Sequence, residues 1–379
     1  MIDRLARFGL AFVLLFSMLV LLAVTTIPSH RPGTLVSWGA TSVARFSHTA
    51  TLLEGNKVLV AGGMERNGVW LDSGEVFDET TGRFIPTARM SSRRAGAMAS
   101  ALPDGTVLIA GGADGSGKNL VTAEIFNPQT NAFSLTGSMN APRAHGVAIF
   151  LPRINKVLII GGTANGDDNQ HSSAELYDPS TDRFFQTGSM GIPRSYFNAV
   201  LLQDGRVLVM GGMSGGEFPN PNIEASAEIY DPAIGRFSPA GSMNITRYKH
   251  GAALLPDGKV VVLGGQTGGS YGERLASTEI FDPAKRKFQR GPEMKLPRVK
   301  LLNSVSRLKD GRILVAGGAE QPEIYDPAAN TFTLVTGPQL DGFLFSSATA
   351  LPDGKVLLVN GYGAHPIAGA VRQTWMWEP

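Results

Sequence analysis

The sequence predicts an all-β fold, a seven-bladed β-propeller, and three observations carry that expectation. Gly-Gly pairs beginning at Gly62, Gly111, Gly161, Gly211, Gly264 and Gly317 recur about every 50 residues, with Asn360-Gly361 as a degenerate seventh copy. After each of the first six pairs and a polar loop comes a motif of the form Glu-Ile-Tyr-Asp, opened by Glu75, Glu124, Glu175, Glu228, Glu279 and Glu323. The last unit ends one strand short, and residues 34–38 precede the first unit as a spare strand. Units this small cannot bury a core alone, so they stack into one array.

Within one unit the elements follow from local chemistry. After Arg94 an apolar run over residues 97–102 meets Pro103-Asp104-Gly105, and Asp-Gly between apolar runs signals a hairpin because glycine tolerates the positive φ of the turn. Residues 106–110 form a second strand whose continuous apolar character fits burial on both faces. Gly111-Gly112 ends it where backbones crowd. Residues 123–126 form a third strand that stops at Asn127-Pro128, and residues 133–135 form a fourth. Four antiparallel strands per unit, repeated seven times, make radial sheets that close on themselves. In the seventh unit residues 375–379 lie where Glu-Ile-Tyr-Asp-Pro lies elsewhere, so the N-terminal segment is expected to complete that blade and remove its edge.

The full pattern runs Arg…Asp-Gly-x-Val-Leu-Val-x-Gly-Gly…Ala-Glu-Ile-Tyr-Asp-Pro…Phe…Gly-Ser-Met. It resembles the kelch repeat, in the variant found in bacterial kelch proteins and in the galactose-oxidase-type propeller, from about residue 34 to the end. This resemblance implies fold far more than function, since the fold hosts both enzymes and binding modules. It also brings an expectation about copper. The oxidase family uses a tyrosine cross-linked to cysteine, and this chain has no cysteine; no cofactor and no metal is expected.

Residues 1–33 read as a separate segment ahead of the propeller at 34–379. Arg4 and Arg7 precede an apolar run over residues 9–27, long enough for a transmembrane signal anchor and also shaped like a cleaved signal peptide. Either reading sends the propeller out of the cytoplasm, and membrane contact is expected through this segment alone. A formal charge of +2 without Lys/Arg runs argues against a nucleic-acid partner.

Strand alternation puts the Asp-Gly and Asp-Pro turns on one face. The loops after Gly-Gly, and the links between blades, lie on the other. The long, varied loops make this second face the expected binding surface. Its candidate ligand-binding residues are Glu65, Arg66 and Trp70 from the first loop, and Tyr271, Glu273 and Arg274 from the fifth. Tyr196, Tyr248, His250 and, in the seventh loop, His365 complete the set. The sixth loop, residues 319–322, is nearly absent and leaves a low rim. Arg45, Arg94, Arg143, Arg194 and Arg247 share one phase, with Lys300 in that place in the sixth unit. They offer either a cationic ring for an anionic sugar or a set of bridges to the recurring glutamates, and the bridges are expected. His48 and His250 share the phase three residues after their arginines, where other units place Ala97, Phe197, Asn303 and Ser346, so no uniform histidine cluster exists. Asp167, Asp168 and His171 read as solvated surface. No catalytic set emerges. The function expected is a non-catalytic, exported module for glycan or protein; the alternative is a carbohydrate-active enzyme of mutarotase or epimerase type, using His48, His250, Glu65 or Glu273.

Overall fold

The computed structural model describes residues 31–65, 68–216, 220–268, 272–340, 343–359, 361–363 and 371–379. Seven four-stranded antiparallel sheets, with no α-helix among the described residues, arrange as seven blades. In the second blade Met98–Ala101 pairs with Val107–Ala110, then Ala123–Asn127, then Ala132–Leu135. The Asp104 carboxylate accepts the Thr106 N–H at 3.0 Å and so fixes the hairpin turn.

The seventh sheet joins the two ends of the propeller. Thr34–Ala40 lies antiparallel to Gln373–Glu378 with Leu35 opposite Trp377. The closing strand expected at residues 34–38 is therefore present and runs two residues further, to Ala40. The expected N-terminal membrane or signal helix falls on residues 1–30 and lies outside the described residues. Among the described residues no helix is long and apolar enough to cross a membrane.

The core lies between blades. Val107–Ala110, Val207–Met210, Val260–Leu263 and Val356–Val359 are buried at every position because each sheet packs on both neighbours. Alternate residues face opposite sides. Val260 and Val262 join Leu208 and Met210 of the preceding blade, while Val261 and Leu263 join Ile313 and Val315 of the next. At the closing junction Val58, Val60 and Phe77 meet Leu357, Val359 and Met376. Each fully buried aromatic or aliphatic side chain contributes roughly 1.5–3 kcal/mol. Inside six blades the third-strand aromatic leans on a fourth-strand phenylalanine, as Phe281 does on Phe288 at 4.7 Å.

The repeat arginines and glutamates pair, as expected: Arg45–Glu75, Arg94–Glu124, Arg143–Glu175, Arg194–Glu228 and Arg247–Glu279 meet at 2.8–3.3 Å. The sixth pair corrects the sequence reading. It is Arg298–Glu323 at 2.9 Å, not Lys300. Counting back from the Asp-Gly turn misplaces the phase because the first strand of this blade is preceded by two extra residues. They turn through a Ser304 N–H to Leu301 carbonyl bond. Each arginine also donates to the carbonyl of the first Gly of its Gly-Gly pair, as Arg247 does to Gly264 at 2.7 Å. Each glutamate accepts a backbone N–H from the link between blades, as Glu323 does from Lys295 at 2.7 Å. Burial pushes the arginine pKa values down while the paired carboxylate opposes it.

Candidate functional site

Two residues beyond each repeat arginine the chain enters the mouth of the central channel. Ser47, Gly96, His145, Tyr196, Lys249, Lys300 and Phe345 occupy this place, one per blade, all at φ between 51° and 64°. Most are stitched together by backbone bonds. Gly96 N–H donates to Ser47, His145 to Gly96, Tyr196 to His145 and Lys249 to Tyr196, at 2.8–3.1 Å. Ser47 N–H closes the ring onto Phe345 at 3.3 Å. Leu301 replaces Lys300 as the donor to Lys249, another effect of the two extra residues. The collar thus carries variable side chains on a fixed backbone, and a cavity of about 240 Å³ lies behind it.

Five aromatic rings, counting the imidazole of His145, and two amines gather on one side of this mouth. His145 stacks on Tyr196 at 4.3 Å. The Tyr196 hydroxyl donates to Asp167 at 2.6 Å, and Asp167 stands 3.8 Å from His145 Nε2. Asp167 sits at the tip of a small hairpin, Thr163–Asn165 with Asp168–Gln170, that the sequence reading left as loop. The Lys249 amine lies 4.5 Å from the Tyr196 ring centre and 4.8 Å from Tyr248. The Lys300 amine lies 5.0 Å from Phe345 and 4.7 Å from Tyr362, and it donates to the Tyr362 hydroxyl. Such cation–ring contacts hold an amine by about 0.5–2 kcal/mol.

The charges are poised. Burial lowers the Lys300 amine to about 8, helped by the positive charges of Lys249 and Arg274. Burial lowers Lys249 as well, against the pull of Asp167. His145 falls to about 4 through burial, with Asp167 raising and Lys249 lowering it, so the ring is neutral at pH 7. Tyr196 is pushed up by burial and then by Asp167.

The residues expected at the binding face scatter. Tyr196 and Tyr248 stand at the mouth, but at 5% exposure each they form its wall rather than open platforms. His250, one residue past the collar, is wholly buried against Gly211 of the neighbouring blade, and neither ring nitrogen has a hydrogen-bond partner. That corrects its placement on the ligand face. Trp70 lies against Gly115 of the second blade. Glu65, Glu273 and Arg274 are exposed on their loops. Arg66, Tyr271 and His365 lie outside the described residues. His48 faces inward, its Nε2 2.9 Å from Ser347 Oγ, and His171 bonds the Pro142 carbonyl. Lys249, Phe345 and Tyr362 escaped the sequence reading, and Lys300 was read at the arginine phase rather than in the collar. The signal available for Lys249, Lys300 and Phe345 was a phase, two residues past the arginine, at which residue type changes from unit to unit.

Taken with its geometry, the fold defines an all-β propeller whose variable residues converge on the axis. A family model described as Kelch motif matches residues 194–244 and 247–295. Galactose oxidase from Gibberella zeae is 24% identical over 235 residues, 54% of this chain and 32% of that protein. Kelch-like protein 33 from Homo sapiens is 31% identical over 124 residues, 31% of this chain and 22% of that one. The chain thus spans at most about a third of the length of these relatives. A fungal alcohol oxidase of the AA5 family, solved in complex with copper, superposes with a TM-score of 0.70 at 18% identity, covering 92% of this chain and 76% of that one. These matches together support a kelch-repeat β-propeller, with the family model itself reaching about a quarter of the chain.

The residues present do not fit the copper ion of that structural neighbour. The chain has no cysteine, and no cluster of three His, Cys, Asp or Glu side chains stands together among the described residues. The Tyr196 and Tyr362 oxygens are committed to Asp167 and Lys300, and two ammonium groups beside them repel a cation.

Proposed function

We propose that the protein is an exported kelch propeller acting as a non-catalytic binding module, its ligand, a glycan or a protein, docking over the channel mouth on the loop-rich face. The collar carries this reading. Seven equivalent backbone positions hold seven side chains chosen without regard to the repeat, and residues a fold does not require are available for recognition. Export rests on the arginine-flanked apolar run over residues 9–27. Kelch-repeat propellers generally bind proteins, which supports a binding role without naming the ligand.

The test is a glycan array and a protein-interaction screen with the purified full chain, beside a Phe345→Ala/Lys249→Met variant that melts at the wild-type temperature. Hits lost in the variant support the mouth as the docking point. Hits that survive it, but vanish on Trp70→Ala, would move docking to the first loop.

A second reading, a carbohydrate-active enzyme, draws on the similarity to galactose oxidase and on the contact between the Lys300 amine and the Tyr362 hydroxyl. Sugar-anomer interconversion followed by NMR, abolished by Lys300→Met, would favour it over simple binding.

A further inference from the structure

The repeat arginines looked suited to an anionic ligand, yet six of them are consumed by glutamates inside the blades. The cations left over are Lys249 and Lys300. Among the described residues neither amine forms an ion pair with a carboxylate; their contacts are with aromatic rings and, for Lys300, the Tyr362 hydroxyl. Two adjacent, half-buried amines that repel each other are costly to hold, and an anion between them relieves that cost. The arrangement is directional as well. Both amines belong to the collar, and Lys300 lines the cavity, with Arg274 close enough to act on it.

Asp167 narrows the class of anion. Its carboxylate stands on the same side of the mouth with its side chain 65% exposed, engaged by the Tyr196 hydroxyl and drawing on the Lys249 amine. A peptide rich in carboxylates would set several negative charges against it. A sugar acid presents one carboxylate and several hydroxyls, so the lysines take the first while Asp167 accepts from the second. Phe345 and Tyr362, both partly exposed, offer apolar surface for the ring. The cavity of about 240 Å³ is below the usual range for a drug-sized ligand and suits one pyranose unit.

We propose that the channel mouth binds the carboxylate of an acidic sugar between Lys249 and Lys300, with Asp167 accepting its hydroxyls. This rests on the binding-module reading and gives its ligand class. A free sugar acid and the terminal residue of an acidic polysaccharide share this chemistry.

The experiment titrates the purified full chain with galacturonate, an oligogalacturonate, the methyl ester of that oligomer, a neutral galactose oligomer and poly-glutamate. The proposal expects uronate binding that falls roughly tenfold or more in Lys249→Met and in Lys300→Met. It expects retention in Lys249→Arg and Lys300→Arg, and loss on methyl esterification. Tighter binding of the oligomer than of the monomer identifies the polymer as the source; equal binding identifies the free acid. Ester or neutral oligomer bound as well as the uronate overturns the inference while leaving the module reading in place. Poly-glutamate bound in preference overturns it in favour of an acidic protein. No binding of any probe, joined to an empty glycan array and interaction screen, removes both. A methionine variant that fails to fold is replaced by the arginine variant with the esterified probe, which tests the same charge pairing.

A second readout is protonic. The groups facing the two amines are His145, Asp167, Tyr196, Tyr248, Arg274 and Tyr362, and of these none has an ordinary value near 8. A bound carboxylate raises the Lys300 amine, so binding takes up a proton near pH 8 and affinity falls as pH rises above it. Affinity unchanged between pH 7 and 10 overturns the placement of the carboxylate at Lys300.

Discussion

Phe343 and Trp375 stand in the seventh blade where an arginine and a glutamate stand in each of the other six, and both belong to one apolar cluster. The phase is fixed by backbone contacts: Phe343 carbonyl accepts the Gly318 N–H as Arg298 carbonyl accepts that of Gly265, and Trp375 lies opposite Leu358 as Glu279 lies opposite Val262. The two substitutions occur together. That is what the energetics of a buried ion pair demand, because either charge alone would be stranded in the core.

The same logic predicts the outcome of breaking a pair. Arg298→Met or Glu323→Leu alone leaves an unpaired buried charge and costs about 3–5 kcal/mol in urea unfolding. The double variant, an apolar pair like that of the seventh blade, is expected to cost less than either single one. A double variant whose loss equals the two single losses added together would show that the pair has no coupling.

Glycine at the first place of each Gly-Gly pair is needed for a packing reason that the repeat spacing alone does not give. Gly111 has φ +66°, and a Cβ there would overlap the Arg143 carbonyl of the next blade. Gly117 also has positive φ, +88°, but nothing lies within 4 Å of its would-be Cβ. Gly111→Ala should therefore cost more than the roughly 1–3 kcal/mol of backbone strain that both share. Equal shifts in urea midpoint for the two variants would remove the crowding argument.

Acid stability depends on three histidines held neutral. His48 and His250 are lowered to about 3 by burial first, then by Arg45 for the former and Arg247 and Arg194 for the latter; His145 is lowered to about 4. Unfolded histidine takes a proton near 6.5. Between there and about 3 the unfolded chain binds more protons than the folded one, so stability falls as pH falls through this window. His250→Phe should flatten the slope of unfolding free energy between pH 6 and 4, read by denaturant titration at each pH. A slope unaltered by the substitution would mean His250 is charged in the fold.

How far the structure was legible in the sequence divides along one line, whether a feature repeats. The blade count, the Arg–Glu pairs and the strand at Leu35 follow from periodicity, because every unit states them again. The mouth does not repeat by residue type. What the seven collar residues share is a positive φ and a place, and neither leaves a composition signal. His145 and His250 show how narrow the margin is: one follows its arginine by two residues and lines the mouth, the other by three and is sealed in the wall. A shift of one residue along a strand turns a side chain to the other face. Lys300 was hidden differently, by the two extra residues that displaced its blade from the common count.

Closure of the ring rests on Trp377, 1% exposed, which sits opposite Leu35 and donates its indole N–H to the Pro32 carbonyl at 3.0 Å. Every other blade takes its four strands from one continuous stretch of chain; this one pairs Thr34–Ala40 with Gln373–Glu378, from the far end of the sequence. Trp377→Ala removes a large side chain from the core and should cost about 3–5 kcal/mol. Deleting residues 32–40 goes further, since it leaves Gln373–Glu378 as an unpaired edge and strips Val36 from the apolar layer it shares with Met376 and Leu357. The truncated chain is expected to unfold at lower denaturant, over a broader transition, and to associate at concentrations where the full chain stays monodisperse. Adding the peptide of residues 32–40 in excess should narrow the transition again by refilling the edge. A truncated chain that unfolds as the full one does would show that the seventh blade closes without its fourth strand.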